Sequence, residues 1–305
     1  MKILLTLNKT YRGLPDSGYW YVYSPLKELG HEVYWYDTVA PEEKDYDKIL
    51  EEFKPDLVWC CFTNNRGITP HEPWESVRRE TKEARTKTFN WFCDDTWRFD
   101  DFSSKACQYF TACSTPEPEY VQRYKDIGYN NILVGGWHVN DKLHPDQQEE
   151  KIYDITFVGQ INNEDRKVYL NHLIKNGIKV GTFHGLSQEE MVKVLRQSKI
   201  GINFSKNYTN KSIIKTQMKL RPFEIASSKG TMVLSEYHNG LEYFFDVNKE
   251  IVCFEGCEEM LVKSSHLINN DKLRNKIAEK GNKRFKKEHT SHERLNNILR
   301  EVQKI

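Results

Sequence analysis

The strongest constraint on the fold is a repeated alternation of short apolar segments and amphipathic segments along the 305 residues. In the first half this pattern predicts strands at residues 2–7, 31–36, 56–62, 86–92, 109–113 and 132–134, with helices between most of them. The alternation restarts later, with strands predicted at 155–158, 178–183, 200–204, 231–235 and 251–254. This order is typical of an α/β protein with mostly parallel sheets.

A polar stretch at residues 140–151, which contains Pro145, separates the two series and is the best candidate for a linker. We therefore expect a Rossmann-like domain at residues 1–147 and a second one at 148–305 that includes the C-terminal helices. Two such open sheets facing each other would form a central cleft, and ligands of these sheets bind beyond the carboxyl ends of the strands.

Composition differs between the two halves. Residues 1–150 carry 18 basic and 26 acidic side chains, whereas residues 151–305 carry 27 and 18. All seven tryptophans lie in the first half. The basic half is thus the better candidate for a phosphate ligand, and the acidic, aromatic half for a neutral ligand such as a sugar. The alternative is that this asymmetry is a surface feature without a ligand.

Several classes of protein are excluded or disfavoured. No stretch approaches the roughly 18 consecutive apolar residues of a membrane-spanning helix, and the apolar start turns polar at Asn8, too early for a signal peptide. We therefore expect a cytoplasmic protein. The seven cysteines form no CxxC pair or Cys/His cluster with zinc spacing, so buried thiols are expected rather than a metal site.

The most informative segment runs from Gln217 to Glu236, where a basic loop leads into a short predicted helix. Lys219 and Arg221 could bind a diphosphate, together with the N–H groups at the start of the helix. Glu224, one turn later, could accept hydrogen bonds from a ribose diol. The alternative is an ordinary loop–helix–strand unit in which Glu224 only complements the helix dipole.

With further segments, this region resembles the C-terminal domain of the group 1, family 4-like GT-B glycosyltransferases, and more narrowly the CgeB-related branch found in bacteria and phages. The matching residues are Gly201 to Ser205, Lys219, Arg221 to Ala226, Gly230, Glu236, Asn239 to Glu242, Phe244, Phe245 and Glu250 to Val252. The N-terminal half matches through Asn90 to Asp95, Trp97 to Phe99, Tyr124 and Gly128, and the Phe157-Val158-Gly159 turn with Arg166 also fits.

The resemblance implies a nucleotide-diphosphate sugar as donor, bound by the C-terminal domain, and an acceptor bound by the N-terminal domain. By the family pattern Glu224 binds the ribose, and Lys219 and Arg221 lie near the diphosphate. The same pattern assigns donor contacts to Gly159, Arg166, His184, Gly240 and Leu241. The chain departs from the pattern at Thr216, where the wider family has a glutamate that contacts the donor sugar.

Transfer needs positive charge at the leaving diphosphate. If Lys219 and Arg221 supply that charge, neither a metal ion nor a cofactor is required. An inverting enzyme also needs a general base for the acceptor hydroxyl. Asp94 and Asp95 follow a predicted strand beside Trp97, and we expect Asp95 to face the cleft and Asp94 to be structural. Asp16, with Trp97, is a further candidate on the acceptor side; a turn residue is the alternative.

The acceptor is not identified by the sequence: a saccharide, a protein or a modified nucleobase are all compatible with it. Two other functions remain open, namely a non-catalytic protein that binds sugar nucleotides and a phosphorylase or epimerase on the same double-Rossmann scaffold.

Overall fold

The computed structural model describes residues 1–11, 13–144, 146, 149–161, 164–210 and 213–305. They form two compact units, the first made of Met1–Gly136 with Ser291–Ile305, and the second of Trp137–Thr290. Each unit has its own parallel sheet and apolar core. The predicted α/β class is therefore confirmed.

The first unit is a six-stranded parallel sheet with helices between its strands. Its strands, including a small hairpin β2–β3 outside the main sheet, are β1 (Lys2–Thr6), β2 (Thr10–Tyr11), β3 (Leu14–Pro15), β4 (Glu32–Tyr36), β5 (Leu57–Cys60), β6 (Lys87–Trp91), β7 (Ala112–Thr115) and β8 (Ile132–Val134). Its helices are α1 (Ser24–Glu28), α2 (Tyr46–Phe53), α3 (Trp74–Lys82), α4 (Asp95–Arg98), α5 (Ser104–Ala106) and α6 (Tyr120–Asp126), with π-helical turns at Tyr19–Tyr23 and Phe99–Ser103 and a 3₁₀ turn at Cys107–Tyr109. The strand order is β4-β1-β5-β6-β7-β8.

The second unit contains a five-stranded parallel sheet in the order β10-β9-β11-β14-β15. Its strands are β9 (Tyr153–Val158), β10 (Val180–Phe183), β11 (Ser198–Asn203), the antiparallel hairpin β12 (Lys206–Asn210) and β13 (Ile213–Thr216), β14 (Met232–Glu236) and β15 (Val252–Phe254). Its helices are α7 (Glu164–Lys175), α8 (Gln188–Arg196), α9 (Arg221–Ser227), α10 (Cys257–Ile268) and α11 (Asp271–Glu288), with 3₁₀ turns at Asp141–Leu143 and Leu241–Tyr243.

The central strands explain why this sequence folds as parallel sheets. β1 pairs in parallel on both sides, and its side chains Ile3, Leu4 and Leu5 are fully buried. β9 also pairs in parallel on both sides and is buried from its third residue to its last. Inner strands buried on both faces are typical of parallel sheets that helices cover. The edge strand β4 is only partly covered. Trp35 in β4 is therefore half-buried and donates to the carbonyl of Leu7, whereas Trp59 and Trp91 in inner strands are buried.

The boundary between the units differs from the predicted one. Asn140 and His144, in the stretch predicted to be a linker, are buried, and the ring of His144 bonds the hydroxyl of Ser227 at 2.9 Å. The stretch therefore packs as part of the second unit, although Pro145, Gln147 and Gln148 lie outside the described residues. The helix α12 (Ser291–Lys304), predicted to belong to the second domain, packs against α1 of the first unit instead.

Two other features can be compared with the sequence. All seven cysteines are free thiols, four of them buried and three partly exposed, and the Sγ atoms of Cys61 and Cys93 lie 3.6 Å apart. Within the part of the chain that the structure describes, no helix has the length and apolar character needed to cross a bilayer.

A close helix contact in the second unit gives a stability prediction. A Cβ added at Gly281, in the middle of α11, would overlap the backbone carbonyl oxygen of Glu250. Because backbone atoms cannot move aside as a side chain does, we expect Gly281→Ala to lower the free energy of unfolding by at least about 1–3 kcal/mol. Urea unfolding measures this change. The exposed neighbour Lys280→Ala is the control, and an equal effect of both substitutions would contradict the contact.

Candidate active site

The carboxyl edge of the second sheet is where the topology places a ligand. The chain order of the strands reverses between β9 and β11, and open parallel sheets bind ligands outside the carboxyl ends of the strands at such a point. Gly159 directly follows β9, and Ser205 follows β11. The N–H of Gln217 donates to the carbonyl of Ser205 at 3.1 Å, which brings the basic loop before α9 to this same edge.

Two of the predicted donor residues form an ion pair at the start of α9. An Arg221 guanidinium nitrogen lies 2.6 Å from Oε2 of Glu224, one turn along the helix. The Glu224 side chain is 5% exposed and that of Arg221 22%, so the carboxylate is the more deeply buried partner. Arg221 also donates to Sδ of Met191 on α8 at 2.7 Å. The pair thus holds Glu224 in a fixed orientation at the carboxyl edge.

The start of α9 offers fewer N–H groups than the sequence suggested. Pro222 carries no N–H, and the N–H groups of Phe223 and Glu224 already donate to the carbonyl of Leu220, at 3.0 and 3.3 Å. A diphosphate at this edge would therefore depend on side chains such as Lys219 and Arg221 rather than on the helix N-terminus. Lys219 is half-buried in the segment between β13 and α9.

Gly159 and Arg166 lie together at the end of β9. A Cβ at Gly159 would be 2.9 Å from Cζ of Phe157, so a side chain here would displace that ring. Arg166, on α7, donates to the carbonyl of Gln160 at 2.9 Å, and its guanidinium lies 5.7 Å from the centre of the Phe157 ring. Because Gly159 has no side chain, its backbone is accessible to a ligand, and the Arg166 guanidinium lies nearby.

A second ion pair at this edge was missed from the sequence. Glu236 at the end of β14 is buried, and its Oε1 lies 3.0 Å from the Nζ of Lys206, which follows β11. Its Oε2 accepts from the backbone N–H groups of Ser205 and Lys206 at 3.0 and 3.1 Å. The pair could have been predicted, because both residues lie at the ends of predicted strands that are adjacent in the sheet. Lys206 also stands opposite Thr216 in the β12–β13 hairpin.

The other predicted donor residues occupy loops at the same edge. His184 is exposed and directly follows β10. Gly240 has a φ of 87°, which favours glycine, and it begins the turn after β14, where the N–H of Leu241 donates to the carbonyl of His238 at 3.2 Å. The Leu241 side chain is buried, so only its backbone is available to a ligand.

The predicted orientation of the two aspartates in the first unit is wrong. Asp95 is 0% exposed, and the Tyr124 hydroxyl on α6 donates to its Oδ2 at 2.8 Å. Burial raises the pKa of Asp95 to about 6, although hydrogen bonds from Ser103 and Thr115 act in the opposite direction. Asp94 is partly exposed, and its backbone carbonyl accepts from the N–H groups of Trp97 and Arg98. Asp94 is therefore the residue of the two that can meet a ligand.

The remaining acceptor-side candidates differ in their surroundings. Trp97 is 36% exposed, and the guanidinium of Arg98 lies 5.4 Å from its ring centre. Asp16 accepts from the N–H of Gly18 at 2.8 Å, a contact that closes a turn, and burial raises its pKa. The contact supports the turn alternative for Asp16, whereas Trp97 presents an aromatic face to solvent.

Part of the chain matches a known protein family. The family described as glycosyl transferase-like matches residues 148–300, about half of the chain. This stretch contains every donor-binding residue proposed from the sequence, from Gly159 to Leu241. Among curated protein sequences, none matches the chain significantly.

Solved structures resemble the whole chain. A glycosyltransferase from Rickettsia africae ESF-5 has a TM-score of 0.69 at 12% identity, covering 99% of this chain and 98% of that one. Sucrose-phosphate synthase from Thermosynechococcus elongatus has 0.65 at 8%, covering 99% of each. Anabaena Alr3699/HepE in complex with UDP has 0.63 at 9%, covering 100% of each. At these identities the likeness shows the fold alone, which is GT-B with two Rossmann-like domains.

Proposed function

Since this chain belongs to the glycosyl transferase-like family, we propose that it moves a sugar from a nucleotide-diphosphate sugar to an acceptor hydroxyl. The observation that carries the proposal is the ion pair between Arg221 and the buried carboxylate of Glu224 at the carboxyl edge of the second sheet. Glu224 accepts hydrogen bonds from the ribose hydroxyls of the donor, and Arg221 and Lys219 bind the diphosphate. The finer assignment to the CgeB-related branch stays a prediction.

The chemistry follows from charge. The bond between the anomeric carbon and the diphosphate oxygen breaks, and negative charge develops on the leaving diphosphate. Fixed cations stabilise that charge most where water is excluded. In this proposal the stabilising positive charge comes from Lys219, Arg221, Arg166 and Lys206. No metal ion is then needed. The backbone at Gly159 and the turn at Gly240 and Leu241 approach the donor, and His184 lies beside its base.

Uridine diphosphate is the first nucleotide to test, because the Anabaena protein has been solved with UDP and with UDP-glucose. A thermal-shift series with UDP, ADP, GDP and the matching nucleosides tests the donor site. A ligand at 100 times its dissociation constant stabilises the native state by about 2.7 kcal/mol, so binding raises the melting temperature measurably. If no nucleoside diphosphate raises it, the proposed donor site is wrong.

A second measurement separates transfer from binding alone. Release of UDP from UDP-sugars, measured with chelator present and with saccharide, protein and nucleic-acid acceptors, should rise with one acceptor class. Binding without any sugar transfer or donor hydrolysis would favour the non-catalytic alternative. Loss of activity on chelation would contradict metal independence.

On the acceptor side we propose Asp94 as the general base. Asp94→Asn should lower the transfer rate about 10²–10⁴-fold while UDP affinity stays near that of the wild type, because a base acts on the acceptor and not on the donor. Trp97→Ala, which removes the exposed ring beside it, should raise the acceptor KM more than it lowers kcat. Full activity of Asp94→Asn would instead favour a mechanism in which the leaving phosphate accepts the proton.

A further inference from the structure

The second unit has a cavity at the amino ends of its strands, opposite the carboxyl edge where the donor site is proposed. Its volume is about 640 Å³, within the range of small-molecule sites. Six basic side chains line it: Lys151, Lys199, Lys229, Arg274, Lys283 and Lys286. Four carboxylates also line it, so the described walls carry an excess of positive charge.

The position of the cavity follows from the strand order. Lys151 precedes β9, Lys199 lies at the start of β11, and Lys229 precedes β14. These are the amino ends of three adjacent parallel strands, whereas Gly159, Ser205 and Glu236 mark their carboxyl ends. At about 3.3 Å per residue, strands of five or six residues separate the two edges by roughly 15–20 Å. One ligand of ordinary size cannot occupy both.

Three of the six cations each have a carboxylate of their own at 2.7 Å, in the pairs Lys199–Asp154, Arg274–Asp271 and Lys283–Glu279. Asp146 is shared by two others. Oδ1 of Asp146 lies 3.3 Å from the Nζ of Lys229 and 3.1 Å from that of Lys286, so one carboxylate serves two ammonium groups. Both lysines are partly exposed and face the cavity around that single acid. Two ammonium groups on one carboxylate leave one positive charge, and Lys151 adds a second, so a dianion would neutralise the three lysines together with Asp146.

The inner wall is also cationic. The hydrogen bonds that Lys151 makes to described residues go to neutral oxygens, the carbonyl of Arg196 at 2.7 Å and the hydroxyl of Thr231 at 3.2 Å. Burial, together with the charges of Arg274 and Arg196, lowers the pKa of Lys151 to about 8. An anion beside Lys151 would reverse this effect.

We propose that this cavity binds a phosphate-bearing small molecule, held by the ammonium groups of Lys151, Lys229 and Lys286. Tetrahedral phosphate oxygens accept from several ammonium groups at once, and lysine binds phosphate as a point charge. The site goes beyond the proposed function: it lies on the opposite edge of the sheet and uses none of the residues assigned to the donor.

The test uses inorganic pyrophosphate as the probe on the full chain. Amine acetylation followed by peptide mass spectrometry should show pyrophosphate protecting Lys151, Lys229 and Lys286 at least about threefold, with the exposed Lys276 on α11 unaffected. The protection should persist when UDP is added. Sodium chloride of equal ionic strength should protect none of them, because screening is not specific.

Calorimetry supplies the second readout. The Lys229→Ala/Lys286→Ala variant, altered only at partly exposed positions, should bind pyrophosphate at this site about tenfold more weakly, and Lys276→Ala should bind it as the wild type does. Equal affinities in both variants, or binding without protection of the three lysines, would overturn the proposal. If instead the proposed donor site is wrong, the protein will not bind UDP, but pyrophosphate will still protect the three lysines.

Discussion

Arg221→Ala is expected to lower the free energy of unfolding by about 3–5 kcal/mol, the usual cost of removing one partner of a buried ion pair. The substitution leaves the Glu224 carboxylate, whose side chain is 5% exposed, without its guanidinium. Glu224→Ala should cost less, because the remaining Arg221 is 22% exposed and keeps its contact with Met191. Urea unfolding of both variants measures the asymmetry.

The same two variants should both lose UDP binding, and a double variant separates the two effects. Arg221→Met with Glu224→Leu replaces the pair by apolar side chains, which is often close to neutral for stability. It should therefore recover much of the stability lost in Arg221→Ala and still fail to bind UDP. Wild-type UDP affinity in this double variant would remove the pair from the donor site.

The chain contains a matched control for this experiment. Glu75 and Arg78 on α3 form an ion pair with the same three-residue spacing, at 3.1 Å, and both side chains are exposed. Exposed pairs contribute little because water screens them. The Arg78 guanidinium also lies 4.1 Å from the centre of the Tyr109 ring. Arg78→Ala should therefore lower stability by only about 0.5–1 kcal/mol and leave UDP binding unchanged. A loss as large as that of Arg221→Ala would mean that burial is not the cause.

Asp95→Asn should stabilise the protein at neutral pH relative to the wild type. Burial raises the pKa of Asp95 from 3.8 to about 6. Between these two pKa values the native state holds a proton that the unfolded chain has lost, so wild-type stability falls as the pH rises. At about 1.4 kcal/mol per pKa unit, the difference reaches about 3 kcal/mol above pH 6. The asparagine variant has no such proton.

The measurement is the difference in free energy of unfolding between Asp95→Asn and wild type at several pH values from 4 to 8. The difference should shift in favour of the variant up to about pH 6 and then level off. Asp94→Asn, at a partly exposed neighbour, controls for the lost charge. A difference that does not change with pH would show that Asp95 titrates normally.

These two predictions also show where sequence reasoning stops. The strands and their parallel order could be predicted because short apolar segments alternate with amphipathic ones along the chain. The orientation of Asp94 and Asp95 could not, because adjacent residues after a strand are expected only to point in different directions. Which of the two is buried depends on α4, which begins at Asp95. The burial of Asp95 depends on Tyr124, which lies 29 residues later and has no local signature.

For the donor site, the sequence identified the residues better than it identified their contacts. The basic loop and Glu224 stand out in the sequence, but their burial is a tertiary property. The β12–β13 hairpin was not predicted at all, since its strands are short and pair only with each other. It separates β11 from the basic loop, and the backbone bond between Gln217 and Ser205 brings the loop back to the strand end.

The position of α12 affects which fragments of this protein can fold and in what order its two units fold during translation. Because α12 packs with α1, and His292 bonds Glu28 at 2.8 Å, the second unit is an insertion within the first. Residues 137–290 are thus the natural fragment for independent expression, whereas truncation before residue 291 would expose an apolar face of the first unit. During translation the inserted unit can finish folding first. The first unit cannot be completed until His292 meets Glu28, which lies more than 260 residues earlier in the chain.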